Sequence, residues 1–346
     1  MSTFLAGLAS RLAKLFGPRL KLQHLPQQTT TAEITHDHIT WAYRLFLDRE
    51  PESEAVITEK LRSWSTTQGL RADFMTSSEF QQKNSGLGRT IKETIVIKEL
   101  DKHARLFVDL SDYVIGLGIV QDAYEVEEIH LVKQLVRAGD IVLDIGANIG
   151  LFTITLANLV GEHGHVYAFE PLPRNANLLA RSIAENKFAE RITLEKSAVG
   201  AISGHMHLIT PRITLNWGGP YLHRPGTDVP AEHDLLEVPI IQLDAYSLRR
   251  PIRLIKIDIE GAEPLALRGA SQLLEADKPI ILSEINPVQL EKVSECSAFA
   301  FIEEMRSRGY ICHRLEHGQP GALVSGEHID GIISVLFLHQ HTERIK

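Results

Sequence analysis

The sequence predicts an α/β domain, a mostly parallel seven-stranded sheet with helices on both faces, preceded by a small all-α unit. Three observations predict it. From residue 141 onward, short apolar runs alternate with segments of helical period, the signature of strands joined by crossover helices. The strand-like run Ile141-Val142-Leu143 passes through a glycine-bracketed turn into an apolar helix. Residues 38 to 84 instead repeat their apolar positions at helical spacing without a strand between them.

The chain has 346 residues, 44% of them hydrophobic, enough for a full core and a second small module. Its net charge of −8 argues against a nucleic-acid enzyme held by phosphate contacts, which needs a basic surface to release counterions. Cys296 and Cys312, the two cysteines, have no Cys-x-x-Cys spacing and no matching histidines, so they read as ordinary residues of a reducing compartment. No run of 18 apolar residues occurs, and Arg11 and Lys14 interrupt the N-terminal apolar stretch. A cytoplasmic protein is the expectation.

Residues 1–32 hold four basic residues (Arg11, Lys14, Arg19, Lys21) and no acid, leaving 32 basic against 44 acidic residues beyond. Phe4, Leu5, Leu8, Leu12, Leu15 and Phe16 share one helical stripe before Gly17-Pro18. Residues 1–22 can therefore lie on an anionic membrane surface or pack on their own protein. The polar Gln27 to Thr31 reads as a linker, setting a boundary near residue 32.

Residues 33–86 form the predicted helical unit, with Ile39, Ala42, Tyr43 and Phe46 at helical spacing and a turn at Asp48 to Pro51. Tyr43, Phe46, Trp64, Phe74 and Phe80 read as its core. The strings Trp41 to Pro51 and Phe74 to Phe80 resemble a small helical domain related to phycobilisome linkers, found in bacterial exported and glycan-associated proteins. That resemblance covers about one seventh of the chain and implies docking or acceptor presentation, not chemistry.

The large domain is expected over 87–346, with its ligand-binding core at about 124–340. It opens with strands at Ile91 to Ile97, Arg105 to Asp109 and Tyr113 to Ile119, then a helix from Glu125 to Arg137. The alternating part reads strand 141–145, helix 151–160, strand 166–170, helix 175–186, strand 192–197. After a less regular stretch from Ala201 to Glu237 come strand 254–258, helix 264–274, strand 279–284 and helix 299–308. Two terminal strands, 310–314 and 331–338, lack an intervening helix and suggest an antiparallel hairpin at one sheet edge.

Asp144 ends the first strand of the alternating part, and Gly146 and Gly150 bracket the turn that follows, so backbone can approach a ligand at the helix N-terminus. A carboxylate there repels pyrophosphate and attracts an ammonium. A nicotinamide site would also place glycine where Asn148 stands. Glu170, twenty residues past Gly150, ends the next strand, where a carboxylate can accept two ribose hydroxyl protons. The pattern favours S-adenosylmethionine over a dinucleotide.

The segments Val142 to Thr153, Phe169-Glu170-Pro171 and Ile255-Lys256-Ile257-Asp258-Ile259-Glu260-Gly261-Ala262-Glu263 resemble the FkbM-type methyltransferases over about residues 91 to 340. The resemblance implies a class I methyltransferase (Rossmann-like) fold and methylation of hydroxyls on sugars and polyketide-type natural products. It also implies that Asp144, Gly146, Asn148 and Gly150 hold the methionine portion and Glu170 the ribose, with Ser197 and Ala198 against adenine. Glu125 matches a recurrent acidic position that closes over the cofactor, or else is an acid favoured at a helix N-terminus.

Asp258 and Glu284 end two later strands and point to the carboxyl edge of the sheet, where either can act as base or bind acceptor hydroxyls. Asp258 is the expected base with Glu260 as partner, whereas Glu263 reads as a helix N-terminal acid. His205 and His207, on one strand face, and His223 and His233 are rival bases. No spacing specifies a metal site. Trp217 and Tyr221 offer rings to a sugar face. The expected activity is O-methylation of a sugar or glycan-precursor hydroxyl. A polyketide-type hydroxyl as acceptor and a non-catalytic cofactor-binding protein are the alternatives.

Overall fold

A computed structural model describes residues 34–341 apart from 48, 65–68, 71–72, 75–76, 84–94, 102–103, 113 and 212–218. The expected amphipathic helix and linker of residues 1–32, the first part of the strand expected from Ile91, and Trp217 lie outside the described residues.

Helices α1 (His36–Leu47), α2 (Glu54–Ser63) and α3 (Ser78–Lys83) make the helical unit. Their apolar stripes meet in a core of their own, with Ile39, Tyr43, Ile57, Leu70 and Phe74 buried and Phe46, Trp64 and Phe80 packed against it. Tyr43 meets Phe74 edge-on at 4.8 Å between ring centroids. Arg49 clamps Glu79 through two hydrogen bonds of 2.7 and 2.6 Å, tying the turn after α1 to α3.

Strands β1 (Ile95–Asp101) and β2 (Ala104–Asp109) pair antiparallel as a separate hairpin. The strand expected at 113–119 is instead helix α4 (Ile115–Val120). Asp112 explains the difference, because its Oδ1 accepts from the N–H groups of Val114 and Ile115 at 3.1 and 2.8 Å and starts the helix. Gly116 lets α4 lie against β2, since a Cβ there would sit 2.2 Å from the Asp109 carbonyl oxygen. Helix α5 (Val126–Leu135) leads to the main sheet.

Strand β3 (Ile141–Ile145) passes through helix α6 (Leu151–Val160) to β4 (His165–Phe169), and α7 (Pro173–Asn186) leads to β5 (Ile192–Glu195). Both β3 and β4 are buried along their whole length, as strands covered on both faces must be. Ser197 does not extend β5. The chain leaves the main sheet as β6 (Ala198–Val199), which pairs with a second sheet.

The stretch expected to be irregular supplies that second sheet, built from β6, β7 (Gly204–Pro211), β8 (Tyr221–Leu222) and β9 (His233–Ile241) in the order β6-β9-β7-β8. Alternation explains it, because Leu208, Val238 and Ile240 are buried on one face while His205, His207 and Glu237 stay exposed on the other.

Strand β10 (Ile252–Ile257) returns to the main sheet. The single helix expected at 264–274 is two, α8 (Glu263–Arg268) and α9 (Ser271–Asp277). They break at Gly269, where a Cβ would lie 2.1 Å from the Gly200 carbonyl oxygen, and Asp244 caps α9 through the N–H groups of Gln272 and Leu273. Strand β11 (Ile280–Ile285) is followed by α10 (Pro287–Ser294), not anticipated from the sequence, and α11 (Ala298–Ser307). Asn286 and Ser297 cap these two helices.

The terminal strands are three, β12 (Tyr310–Glu316), β13 (Gln319–Leu323) and β14 (Ile333–His339). β14 inserts antiparallel between β11 and β12, so the hairpin at the edge is β12 with β13 and the sheet has eight strands rather than seven. Its order is β13-β12-β14-β11-β10-β3-β4-β5, with β11, β10, β3, β4 and β5 parallel. Alternate residues feed the two faces: Val142 and Leu254 join one core, Leu143 and Ile255 the other.

Candidate active site

The parallel strands bring the loops that follow β3, β4, β5 and β10, and the end of β11, to one edge of the sheet. A cavity of about 250 Å³ opens there, where open α/β sheets bind their ligands.

The turn after β3 is held by its neighbours. Gly146 (φ 81°) and Ala147 both donate to the Phe169 carbonyl at 3.0 Å, and a Cβ on Gly146 would lie 1.9 Å from the Asp258 carbonyl oxygen. Gly146 and Asn148 line the cavity. Gly150 does not. It caps α6 in the left-handed region, and its missing Cβ makes room for Leu179 of α7 at 2.4 Å.

Glu170 lies at the cavity wall and is only 6% exposed. Its Oε2 accepts from the Asn148 N–H and its Oε1 from the Leu172 N–H, both at 2.8 Å. Burial pushes its carboxyl up to about 7, against the pull of these two N–H groups. Ser197, between β5 and β6, and Ala198, the first residue of β6, line the same cavity, as does the apolar Leu172.

Glu125, Asp258, Glu260 and Glu284 also line the cavity. Burial raises Glu284 well above the usual carboxylate range, with Asp258 and Glu260 adding to it, and it raises Glu125 against the pull of Lys256. Glu260 is pushed up to about 8, again by burial first and then by Asp258. Glu263 turns away from this group. It is 2% exposed, and its Oε1 accepts from the Ile259 N–H at 2.9 Å, the helix-start role expected for it.

Asp144 sits behind the cavity rather than on it. It is fully buried, its Oδ2 accepts the Thr153 hydroxyl at 2.5 Å, and its Oδ1 has no hydrogen-bond partner. Direct contact with a methionine ammonium, as the sequence suggested, does not follow from this placement. Directly across the β3–β10 ladder from Asp144 stands Lys256, a residue sequence reasoning passed over. Its side chain lines the cavity, with Nζ 3.5 Å from Asp258 Oδ2 and 4.8 Å from the centre of the Phe152 ring. Burial lowers its basicity, but Asp258, Glu125 and Asp144 outweigh burial and hold it charged. A lysine inside the run Ile255-Lys256-Ile257 was the available signal.

Three non-glycine residues of the lining have positive φ: Glu125 (48°), Asn148 (51°) and Glu260 (52°). Lys187, Lys278 and Glu295, by contrast, adopt such angles as ordinary helix C-caps. Left-handed non-glycine residues persist where surrounding structure over-determines them, commonly at binding sites. Glu125 takes this conformation as the N-cap residue of α5, its carbonyl accepting from the Ile129 N–H at 2.9 Å, while its side chain makes no capping bond. The second sheet closes the cavity with Leu208, Tyr221 and Leu222. His205, His207, His223 and His233 are not among the cavity's lining residues.

The residues present fit S-adenosylmethionine. Glu170 is fixed by two backbone donors with lone pairs left for two ribose hydroxyls, the 146–148 backbone lies open to the methionine portion, and Ser197 and Ala198 border a ring-sized apolar wall. Fold and site together are those of a class I S-adenosylmethionine-dependent methyltransferase.

Residues 144–312 match the family model for the methyltransferase FkbM domain. The matched residues carry an S-adenosylmethionine-dependent methyltransferase domain. Among solved structures the chain is similar to methyltransferase FkbM from Methylobacillus flagellatus KT, at 20% identity and a TM-score of 0.38, covering 58% of this chain and 43% of that one. It is also similar to a SAM-dependent O-methyltransferase from Thermotoga maritima, at 13% identity and a TM-score of 0.36, covering 64% and 67%. A third is the Pyrococcus abyssi tRNA (uracil-54, C5)-methyltransferase in complex with S-adenosyl-L-homocysteine, at 14% identity and a TM-score of 0.39, covering 72% and 45%. This chain thus spans less than half the length of the first and third.

Proposed function

We propose that the enzyme O-methylates a hydroxyl of a sugar or glycan precursor, with Asp258 as the base. The supporting observation is the grouping of Asp258, Glu260 and Glu284, close enough to raise one another's charge cost, in the lining of one cavity. Carboxyl groups at different strand ends can accept from several hydroxyls of one ring.

S-adenosylmethionine supplies, when bound, an electrophilic methyl group on a sulfonium. Asp258 would take the proton of the acceptor hydroxyl, and Glu260 and Glu284 would hold the neighbouring hydroxyls in line. The cavity walls keep bulk water from competing.

In this reading the helical unit of residues 33–86, whose sequence resembles phycobilisome-linker domains, docks the enzyme to a protein partner and leaves Trp41 exposed at 54% for that contact. Residues 1–22 then add contact with the inner face of the membrane. No helix among the described residues is long and apolar enough to cross one.

The test is incubation with methyl-labelled S-adenosylmethionine and a glycan-precursor fraction, followed by identification of the labelled product. An O-methyl sugar is the expected product, and Asp258→Asn should lower its rate by about 100-fold or more while cofactor still binds. Label on nitrogen or carbon, or undiminished turnover by Asp258→Asn, would contradict the proposal.

A further inference from the structure

The one buried cation of the cavity among the described residues is unexplained by cofactor binding or by packing. Lys256 is 6% exposed, on a central strand whose other residues from Leu254 to Ile257 are aliphatic. Replacing a buried ion pair by apolar groups of like volume is often neutral or stabilising, so its presence is weak evidence for a stability role. A methionine would also fill the space above the Phe152 ring.

Its surroundings indicate another use. From β3 it faces Asp144, from the start of α5 Glu125, and from its own strand end Asp258. Glu260 and, from β11, Glu284 act on Asp258 in turn, and Glu263 adds its charge from the helix start behind them. Among these carboxylates the hydrogen bond from Lys256 goes to Asp258 Oδ2, at 3.5 Å. The Phe152 face below and the strand on either side leave the ammonium little freedom to turn elsewhere.

We propose that Lys256 is a positioning residue, whose buried ammonium is the counter-charge that holds the Asp258 carboxylate and aims it into the cavity. It does not touch the reacting atoms. It sets which carboxyl among several serves as base. This assignment rests on the reading of the cavity as a methyl-transfer site, and its test needs no acceptor.

S-adenosylmethionine carries a sulfonium and S-adenosylhomocysteine a neutral thioether, so their affinity ratio reports the charge of the nearby carboxyls. Calorimetric titration of the full chain with each ligand from pH 5.5 to 9.5 should show the preference for the sulfonium rising with pH as carboxyls ionise. In Lys256→Met the midpoint of that rise should move about one pH unit alkaline or more, because a cation that favours ionisation is gone. Lys256→Arg should bring it back. Asp258→Asn tests the same contact from the other partner and keeps the proposal open to refutation if Lys256→Met does not fold. Loss of its negative charge should move the midpoint acid-ward. Binding of both ligands with an unmoved midpoint in folded variants overturns the assignment alone, whereas binding of neither by the wild type overturns the cofactor reading with it.

Discussion

The backbone N–H of Asn148 donates to the carboxylate of Glu170 at 2.8 Å, across 22 positions of sequence. That bond joins the turn after β3 to the end of β4, so the two halves of the cofactor site are one rigid unit. Asn148 reaches Glu170 because its φ of 51° turns the N–H toward the neighbouring strand end. The Leu172 N–H fixes the second oxygen. The carboxylate is thereby oriented before any ligand arrives, which lowers the ordering cost of binding.

Gly146→Ala should damage fold and site together. The new Cβ would fall 1.9 Å from the Asp258 carbonyl oxygen, at a φ of 81° that alanine resists. We expect a loss of about 3 kcal/mol or more in chemical denaturation. Stability within about 0.5 kcal/mol of wild type would contradict the close approach of these two loops.

Thr153→Val keeps shape and removes the hydroxyl that donates to Asp144 Oδ2. Because Oδ1 already lacks a hydrogen-bond partner, the buried carboxylate would lose its side-chain donor. A destabilisation of about 1–3 kcal/mol should appear in urea unfolding. An unchanged midpoint would mean that the carboxyl group does not depend on this donor.

Burial, with Asp258 adding to it, pushes the Glu260 carboxyl up to about 8 from an ordinary 4.5. The folded state therefore keeps the proton longer than the unfolded chain, and this group's contribution to stability falls as pH rises from about 4.5 to about 8. Glu260→Gln removes that fall. The melting temperature of the variant relative to wild type should climb between pH 5 and pH 8.5, measured by thermal unfolding without ligand. A constant difference across that range would contradict the burial of this carboxyl.

How much of this was legible in the sequence depended on where each element's determinants lie. Strand β3 and helix α6 fall where the sequence placed them, since Ile141 to Ile145 is an unbroken buried run and the glycine turn marks the next helix locally. The helix at 115–120 was misread because Ile-Gly-Leu-Gly-Ile alternates like a strand, while the deciding cap comes from the Asp112 side chain. The second sheet was missed because β7 and β9 are joined by register over a long connection, in which His207 stands opposite Glu237. Nothing local announces that pairing.

In the site, Glu170 and Asp258 stood out because strand ends advertise themselves by an acid after an apolar run. Asp144 looked the same, yet its side chain points behind the cavity toward Thr153, a direction set by packing against α6. Lys256 was invisible for the converse reason: a lysine reads as surface until the ladder places Asp144 beside it.

The account turns most directly on whether Glu170 holds the cofactor. Calorimetric titration of S-adenosylhomocysteine into wild type and Glu170→Gln measures this. An amide would keep the shape but turn one donor against the Asn148 or Leu172 N–H. We predict binding to the wild type and a loss of about 10- to 100-fold in the variant, whose unliganded fold is retained. Equal affinities for both proteins would contradict the account.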